Sequence, residues 1–215
     1  MRNFDGYIFD IDGTLTSTNE LIFKSFNYVT EKYINRTFTG EELINLFGPT
    51  EEVILKEITG DKFEEAYKDY FEYYHSQHNE LAELHPGVLD VLKIIKGAKI
   101  PLGIFTGKGK KAATITLKML EIYDYFDLII TGDDVKYHKP HPEGILLFIN
   151  YFNLEREKIL LIGDAPADIK AARSSGIKIA SVLWDSYAKE EVLESGSDYI
   201  FLTTEEMKDF IVKNV

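Results

Sequence analysis

YIFDIDGTL, residues 7 to 15, is an apolar run that stops at two aspartates, Asp10 and Asp12, and continues through a glycine into a threonine. A strand built on this run sends alternate side chains to one face, which predicts Asp10 and Asp12 pointing the same way. Two such charges about 4 Å apart repel by roughly 4 kcal/mol at an effective dielectric near 20. The arrangement calls for a compensating cation, a shared proton or a functional reason.

Working outward, similar apolar runs end at or beside polar residues in IPLGIFT (100–106), DLIIT (127–131), KILLIGD (158–164) and KIASVLW (178–184). Runs this short, separated by helical patterns, read as buried parallel strands. Pro86 and Gly97 bracket one helix, Pro142 opens another over 142–152, and Gly176 closes one that begins near Ala165. The fold class is α/β: a doubly wound, mainly parallel Rossmann-like sheet flanked by helices.

Residues 16 to 85 differ, with no convincing buried strand. Leu21, Ile22, Phe26, Val29 and Tyr33 follow a helical stripe, as do Phe63, Tyr67, Tyr70, Phe71 and Tyr74. Thr39 with Glu42, and Asp61 with Glu64, have the spacing of N-terminal capping boxes. The stretch reads as an all-helical insertion, dividing the chain into a core of 1–15 and 86–215 and a helical domain of 16–85. The tyrosine stripe is expected in the packing of that domain. His75 and His78 lack the i, i+4 spacing and carboxylate company of a metal site and are expected as solvated surface residues.

Composition narrows the function. At 215 residues the chain can build one sizeable core with room for an insertion. Its 45% hydrophobic and 28% charged residues are those of a folded soluble protein. No apolar stretch approaches the roughly 20 residues that span a bilayer. Acids inside the N-terminal apolar run argue against a secretory signal, and the absence of cysteine fits a cytoplasmic address. A net charge of −12 argues against a nucleic-acid or anionic-membrane partner. Attraction of an anionic substrate therefore has to be local.

In an open parallel sheet, ligands collect at the carboxyl ends of the strands. Asp10, Thr106, Lys139 and Asp164 all fall at or just after such ends and are expected to converge on one crevice. Asp10 is a candidate nucleophile, since a carboxylate can form an acyl-phosphate and split one displacement into two. Asp12 is placed to protonate a leaving oxygen and later deprotonate water. Asp164, in GDAPAD, stands where a hard divalent cation would relieve carboxylate crowding, and with oxygen ligands alone Mg²⁺ is the natural choice. Asp168, one helical turn on, would orient Lys139 or a metal-bound water, or serve as a first-turn acid. Lys139 precedes Pro140 and is held extended, presenting an ammonium to phosphate and carboxylate charge. The neighbouring His138 and His141 are read as incidental. Thr106 and Gly107 open a helix running through Lys108 to about Glu121, offering a hydroxyl and free N–H groups to an anion. The string TGKGKK lacks the spacing of a Walker loop.

Together DIDGTL, the strand-ending Thr106, Lys139 before a proline, and GDAPAD resemble the haloacid dehalogenase superfamily of phosphohydrolases, with all four motifs in order across nearly the whole chain. The resemblance implies Asp10 as nucleophile and Asp12 as general acid/base. It further implies Thr106, Gly107 and Lys139 around the phosphoryl group. Mg²⁺ would be held by Asp10, the backbone carbonyl of Asp12, and Asp164, with Asp168 nearby. The insertion resembles the cap domain of the phosphoglycolate phosphatase and β-phosphoglucomutase branch, and FGPTEEVILKEI, around Gly48 and Pro49, resembles its substrate-approaching loop.

Two positions depart from that branch. Ser17-Thr18 stands where many relatives carry an acid followed by a hydroxyl residue, and Glu51 and Glu52 stand near an arginine typical of mutases. The implied activity is Mg²⁺-dependent hydrolysis of a small phosphate monoester through an aspartyl-phosphate. A β-phosphoglucomutase-like phosphotransferase and an inorganic pyrophosphatase are the alternatives. Lys24, Lys32, Arg36 and Lys56 are insertion cations that could meet a second anionic group. A non-enzymatic phospho-acceptor of the receiver type places its phosphorylated acid on the third strand and needs no 70-residue insertion. A dehalogenase needs neither Asp12 nor a metal cluster. The implied partner is a small phosphorylated metabolite; oligomeric state is not readable.

Overall fold

The run at Tyr7 forms a fully buried strand, β1 (Gly6–Phe9), that ends one residue short of Asp10. The computed structural model describes residues 3–215, so the first two residues of the expected core segment 1–15 lie outside the described residues. After β1 come β2 (Thr16–Ser17), α1 (Asn19–Ile34), α2 (Gly40–Ile44), α3 (Glu51–Thr59), α4 (Phe63–Leu81) and β3 (Glu83–Leu84). Helices and strands then alternate as α5 (Val88–Gly97), β4 (Leu102–Phe105), α6 (Lys110–Met119), β5 (Leu128–Ile130), α7 (Glu143–Phe152) and β6 (Ile159–Gly163). The chain closes with α8 (Pro166–Ser175), β7 (Lys178–Val182), α9 (Lys189–Glu194), β8 (Tyr199–Phe201) and α10 (Thr204–Asn214).

The main sheet has the order β5-β4-β1-β6-β7-β8, with every pairing parallel. β1 is central, and the strand order reverses between it and β6. Its side chains alternate between two hydrophobic layers: Tyr7 and Phe9 pack with α5, α6 and α10, whereas Ile8 packs with α7, α8 and α9. Burying a large apolar side chain of this kind is worth roughly 1.5–3 kcal/mol. Strand β8 has no counterpart in the sequence reading. It is three residues long with Ile200 exposed, so neither an apolar run nor a clean alternation marks it.

The insertion is helical, with a third hydrophobic cluster of its own built from α1, α2, α3 and α4. Leu21, Ile22, Phe26 and Val29 face Tyr70, Phe71 and Tyr74 there, as the stripes require. The cluster extends onto α6 through Ala112 and Ile115, and Tyr74 Oη hydrogen-bonds Thr116 Oγ1 at 2.7 Å. The chain leaves and re-enters the sheet side by side, because β2 pairs antiparallel with β3 through Thr16–Leu84 and Ser17–Glu83. No described helix is long and apolar enough to cross a membrane.

The Thr39–Glu42 capping box forms reciprocally, at 3.2 and 2.8 Å. The Asp61–Glu64 pair does not. Gly60, at φ 55°, turns the chain into a 3-10 segment, Gly60–Lys62, and α4 starts at Phe63 without a side-chain cap.

His78 also departs from expectation: it is fully buried, whereas His75 is exposed. The reason is periodicity, since His78 continues the buried stripe of Tyr70 and Tyr74 at four-residue spacing on α4. Its ring lies 6.0 Å from that of Tyr74, and neither ring nitrogen has a hydrogen-bond partner among the described residues. Burial, with help from the nearby Lys108 ammonium, pushes the imidazole down to about 4. Between that value and the ordinary one near 6.5 the unfolded chain binds a proton that the folded chain refuses. Stability contributed by neutral His78 is thus complete above pH 6.5 and drains away as pH falls toward 4. In urea titrations the wild type should weaken relative to His78→Leu over that window. A constant difference between the two would contradict the assignment.

Candidate active site

Because β1 stops at Phe9, the next residues turn rather than alternate. Leu15 N–H donates to the Ile11 carbonyl at 2.9 Å, Gly13 N–H donates to Thr16 at 2.9 Å, and Gly13 takes φ 74°. The two aspartates therefore meet different cations. Asp10, anchored by its N–H on the Ile162 carbonyl of β6, faces Lys139, whose Nζ lies 2.8 Å from Asp10 Oδ1. Asp12 accepts from the Thr18 hydroxyl, and its Oδ2 lies 3.0 Å from Lys108 Nζ. The acids that crowd are instead Asp10, Asp164 and Asp168, each with an oxygen within 4.8 Å of the others.

Within that trio the donors are unevenly shared. Asp168 is filled on both oxygens, by Lys139 Nζ at 2.6 Å and by the Ala165 N–H at 3.1 Å. It is thus both a first-turn acid of α8 and the residue that aims Lys139. Asp164 receives only the Thr14 hydroxyl, at 2.9 Å on Oδ1, and Asp10 receives only Lys139. Each keeps one oxygen that no described protein donor fills. Burial pushes the Asp10 carboxyl up to about 6 against the pull of Lys139, and burial with the Asp10 and Asp168 charges holds Asp164 well above the carboxylate range. For Lys139 burial opposes the charge, but Asp10 and Asp168 outweigh it and hold the ammonium above its usual range. An all-oxygen donor set, short of one cation, fits a hard divalent ion such as Mg²⁺.

On the opposite wall Thr106 follows β4, with its N–H on the Ile130 carbonyl and its Oγ1 accepting from Lys108 N–H at 3.2 Å. Helix α6 begins at Lys110, beyond the Thr106 and Gly107 expected to open it. Its first-turn N–H groups are met by the protein's own carboxylates: Gly109 N–H donates to Glu51 Oε2 and Lys110 N–H to Asp133 Oδ2, both at 2.7 Å. The free N–H groups expected after Thr106 are partly satisfied in this way. His138 and His141 brace the loop bearing Lys139, the former on the Gly132 carbonyl at 3.1 Å, the latter accepting from Glu143 N–H at 3.3 Å. The Lys139–Pro140 peptide bond is cis.

These groups line a cavity of about 350 Å³. Asp10, Asp12, Thr106, Gly107, Lys139, Asp164 and Asp168 all reach it, as do Asn19, Ile22, Phe26, Gly48, Pro49 and Ile54 from the helical side. None of the four insertion cations does. Lys24 pairs with Glu20, Lys32 with Asp69 and Arg36 with Glu42, while Lys56 is exposed. Two further charged residues enter the cavity without having been singled out as site residues: Lys108, its side chain 1% exposed, and Glu51, with Oε1 3.7 Å from Lys108 Nζ. The available signal is a lysine directly after the strand-ending TG.

A buried carboxylate facing an ammonium and a cluster of carboxylate oxygens at the switch point of a parallel sheet is equipped to receive a tetrahedral anion. Comparison with known sequences agrees. A sequence model of the haloacid dehalogenase-like hydrolases matches residues 7–182, and the chain belongs to that family. It is 35% identical over 195 residues, 89% of this chain and 87% of the other, to a candidate pyrophosphatase PpaX of Caldanaerobacter subterraneus subsp. tengcongensis. Among solved structures it resembles a candidate β-phosphoglucomutase from Thermotoga maritima, with TM-score 0.78, 29% identity and coverage of 99% and 100% of the two chains. A predicted phosphoglycolate phosphatase from Haemophilus somnus shares the fold at TM-score 0.87 and 22% identity, over 98% of this chain and 99% of the other.

Gly13 is the tightest point of the loop. A Cβ there would sit 2.4 Å from Asp164 Oδ2, on a backbone that side chains avoid. Gly13→Ala should cost about 1–3 kcal/mol in denaturant unfolding. An unchanged midpoint would show that Asp164 gives way freely.

Proposed function

We propose that this chain is a Mg²⁺-dependent phosphatase, with 1–15 and 86–215 as catalytic core and 16–85 as cap domain. In this reading it acts in the cytoplasm on a small phosphate monoester. The observation that carries the reading is the convergence of Asp10, Lys139, Asp164 and Asp168 at the carboxyl ends of β1 and β6, with Lys139 bridging Asp10 and Asp168.

Asp10 attacks phosphorus, the bond to the leaving oxygen breaks, and Asp12 gives that oxygen its proton. Asp12 then takes a proton from the water that attacks the aspartyl-phosphate, which returns Asp10 as a carboxylate and releases phosphate. Lys139 balances charge on the phosphoryl oxygens beside Asp10, while Thr106 and Gly107 hold the other side. Asp168 keeps Lys139 aimed. Mg²⁺, held by Asp10, the Asp12 carbonyl and Asp164, would supply electrostatic stabilisation of the transferring group. The cap side of the cavity excludes water and shapes substrate choice.

A second reading, inorganic pyrophosphate as substrate, is favoured by the name of the PpaX relative, while buried Glu51, near the place where mutase relatives carry an arginine, speaks against a mutase.

Asp10→Asn should lower kcat on p-nitrophenyl phosphate at least about a thousandfold. Wild-type turnover in that variant would remove the nucleophile. Mg²⁺ should raise the thermal midpoint of the wild type by mass action, and Asp164→Asn should lose that rise. An equal rise in both proteins would place the ion elsewhere.

A further inference from the structure

The loop after β7 touches four different parts of the molecule with four consecutive residues, 184 to 187. Trp184 Nε1 donates to the Thr14 carbonyl at 3.2 Å, and Ser186 Oγ donates to the Asp164 carbonyl at 2.6 Å. Tyr187 is half-exposed where it lines the cavity, and its ring meets that of Phe47, from the segment between α2 and α3, at 6.1 Å. Asp185 faces His85, the residue that follows β3 where the chain returns from the insertion. His85 N–H donates to the Leu15 carbonyl at 3.1 Å, so this residue belongs to the paired crossing itself.

The contact between His85 and Asp185 is incomplete. Nε2 and Oδ2 stand 3.6 Å apart, beyond hydrogen-bond distance. Both atoms are closed to solvent, and neither has a hydrogen-bond partner among the described residues. The ring also bonds the Thr16 backbone, which keeps the one proton of a neutral imidazole on Nδ1. Nε2 therefore turns a lone pair toward a carboxylate oxygen, leaving two buried acceptors with no hydrogen between them. Polar atoms left in that state are costly and rare. The charged groups that face the ring are Asp185, from the loop, and the exposed Glu83, from β3, whereas Trp184, Leu15 and Thr16 carry no charge. Burial holds the ring below its ordinary range, and Asp185 and then Glu83 pull it back up.

We propose that His85 and Asp185 form a proton-operated clasp between the chain crossing and the loop that carries Tyr187. One proton taken from solvent onto Nε2 turns the two facing acceptors into a charge-assisted hydrogen bond. The bond ties residues 184–187 to the crossing and holds Tyr187 against Phe47 at the edge of the cavity. Without the proton that tie is absent, and the loop is held by Trp184 and Ser186 alone. Acidification therefore fastens the loop, and the inference goes beyond the hydrolase reading without resting on it.

The chain supplies its own reporter. Trp184 is its single tryptophan, with its ring 6.0 Å from that of His85, and an imidazolium quenches a neighbouring indole. As pH is lowered from about 8 to about 4.5, emission should fall with a midpoint below about 6.5. Asp185→Asn should move that midpoint down by about one unit, and His85→Gln should abolish the fall. A flat emission, a midpoint that Asp185→Asn leaves in place, or a fall that survives His85→Gln overturns the proposal. The hold on the loop is read by amide hydrogen exchange at Asp185, Ser186 and Tyr187. Rates are taken as the ratio of wild type to Asp185→Asn at each pH, which cancels the intrinsic pH dependence of exchange. The variant's amide can give Nε2 a hydrogen at any pH, so the ratio should fall at least about threefold between about pH 8 and about pH 5. A smaller change would confine the pair to a local titration and overturn the clasp. Neither readout passes through turnover, so failure of the hydrolase reading is told apart from failure of this one.

Discussion

Like charge confined in a dry crevice is the constraint on which this molecule is organised. Asp10, Asp164 and Asp168 are brought within 4.8 Å at the end of the central strands, where burial makes ionisation costly. Lys139 relieves part of that cost by bridging Asp10 and Asp168. The remaining imbalance is not a defect of packing. On the proposed reading it is what would draw a divalent cation, because a fully neutralised cluster would have no charge to spare.

Backbone placement makes this tolerable. Asp10 is pinned to β6 by its own N–H, Asp164 by the Thr14 hydroxyl and, through its carbonyl, by Ser186 at 2.6 Å. Gly13 lets the loop after β1 pass close under Asp164. Asp10 and Asp164 are thus placed by backbone and hydroxyl groups that do not titrate, in addition to the Lys139 bridge.

The parallel sheet and the strand-end residues were readable in sequence because buried parallel strands are short apolar runs and their carboxyl ends are polar. Asp10, Lys139, Asp164 and Asp168 accordingly meet where the runs end. Strand β8 was not readable, since an edge strand of three residues with Ile200 exposed carries no period. His78 departs from the expected surface position because the absence of metal-site spacing says nothing of burial, which its four-residue spacing from Tyr74 decides. The two aspartates after β1 meet different ammonium groups for a local reason: alternation holds only inside a strand, and β1 ends before either residue. Lys108 and Glu51 depend on the contact between two units distant in sequence, which no single-window pattern records.

The pairing of β2 with β3 carries one more implication. Seen from the sheet, everything from α1 to α4 is the loop of a two-strand hairpin whose ends are already hydrogen-bonded at Thr16–Leu84 and Ser17–Glu83. Closing a loop costs only about 0.6 kcal/mol more for each doubling of its length. The closure entropy of the core therefore depends only weakly on how long that loop is. Chain closure at this junction thus adds little to the cost of lengthening or shortening the insertion, and what ties the inserted helices to the core is their packing on α6 through Ala112, Ile115 and Thr116.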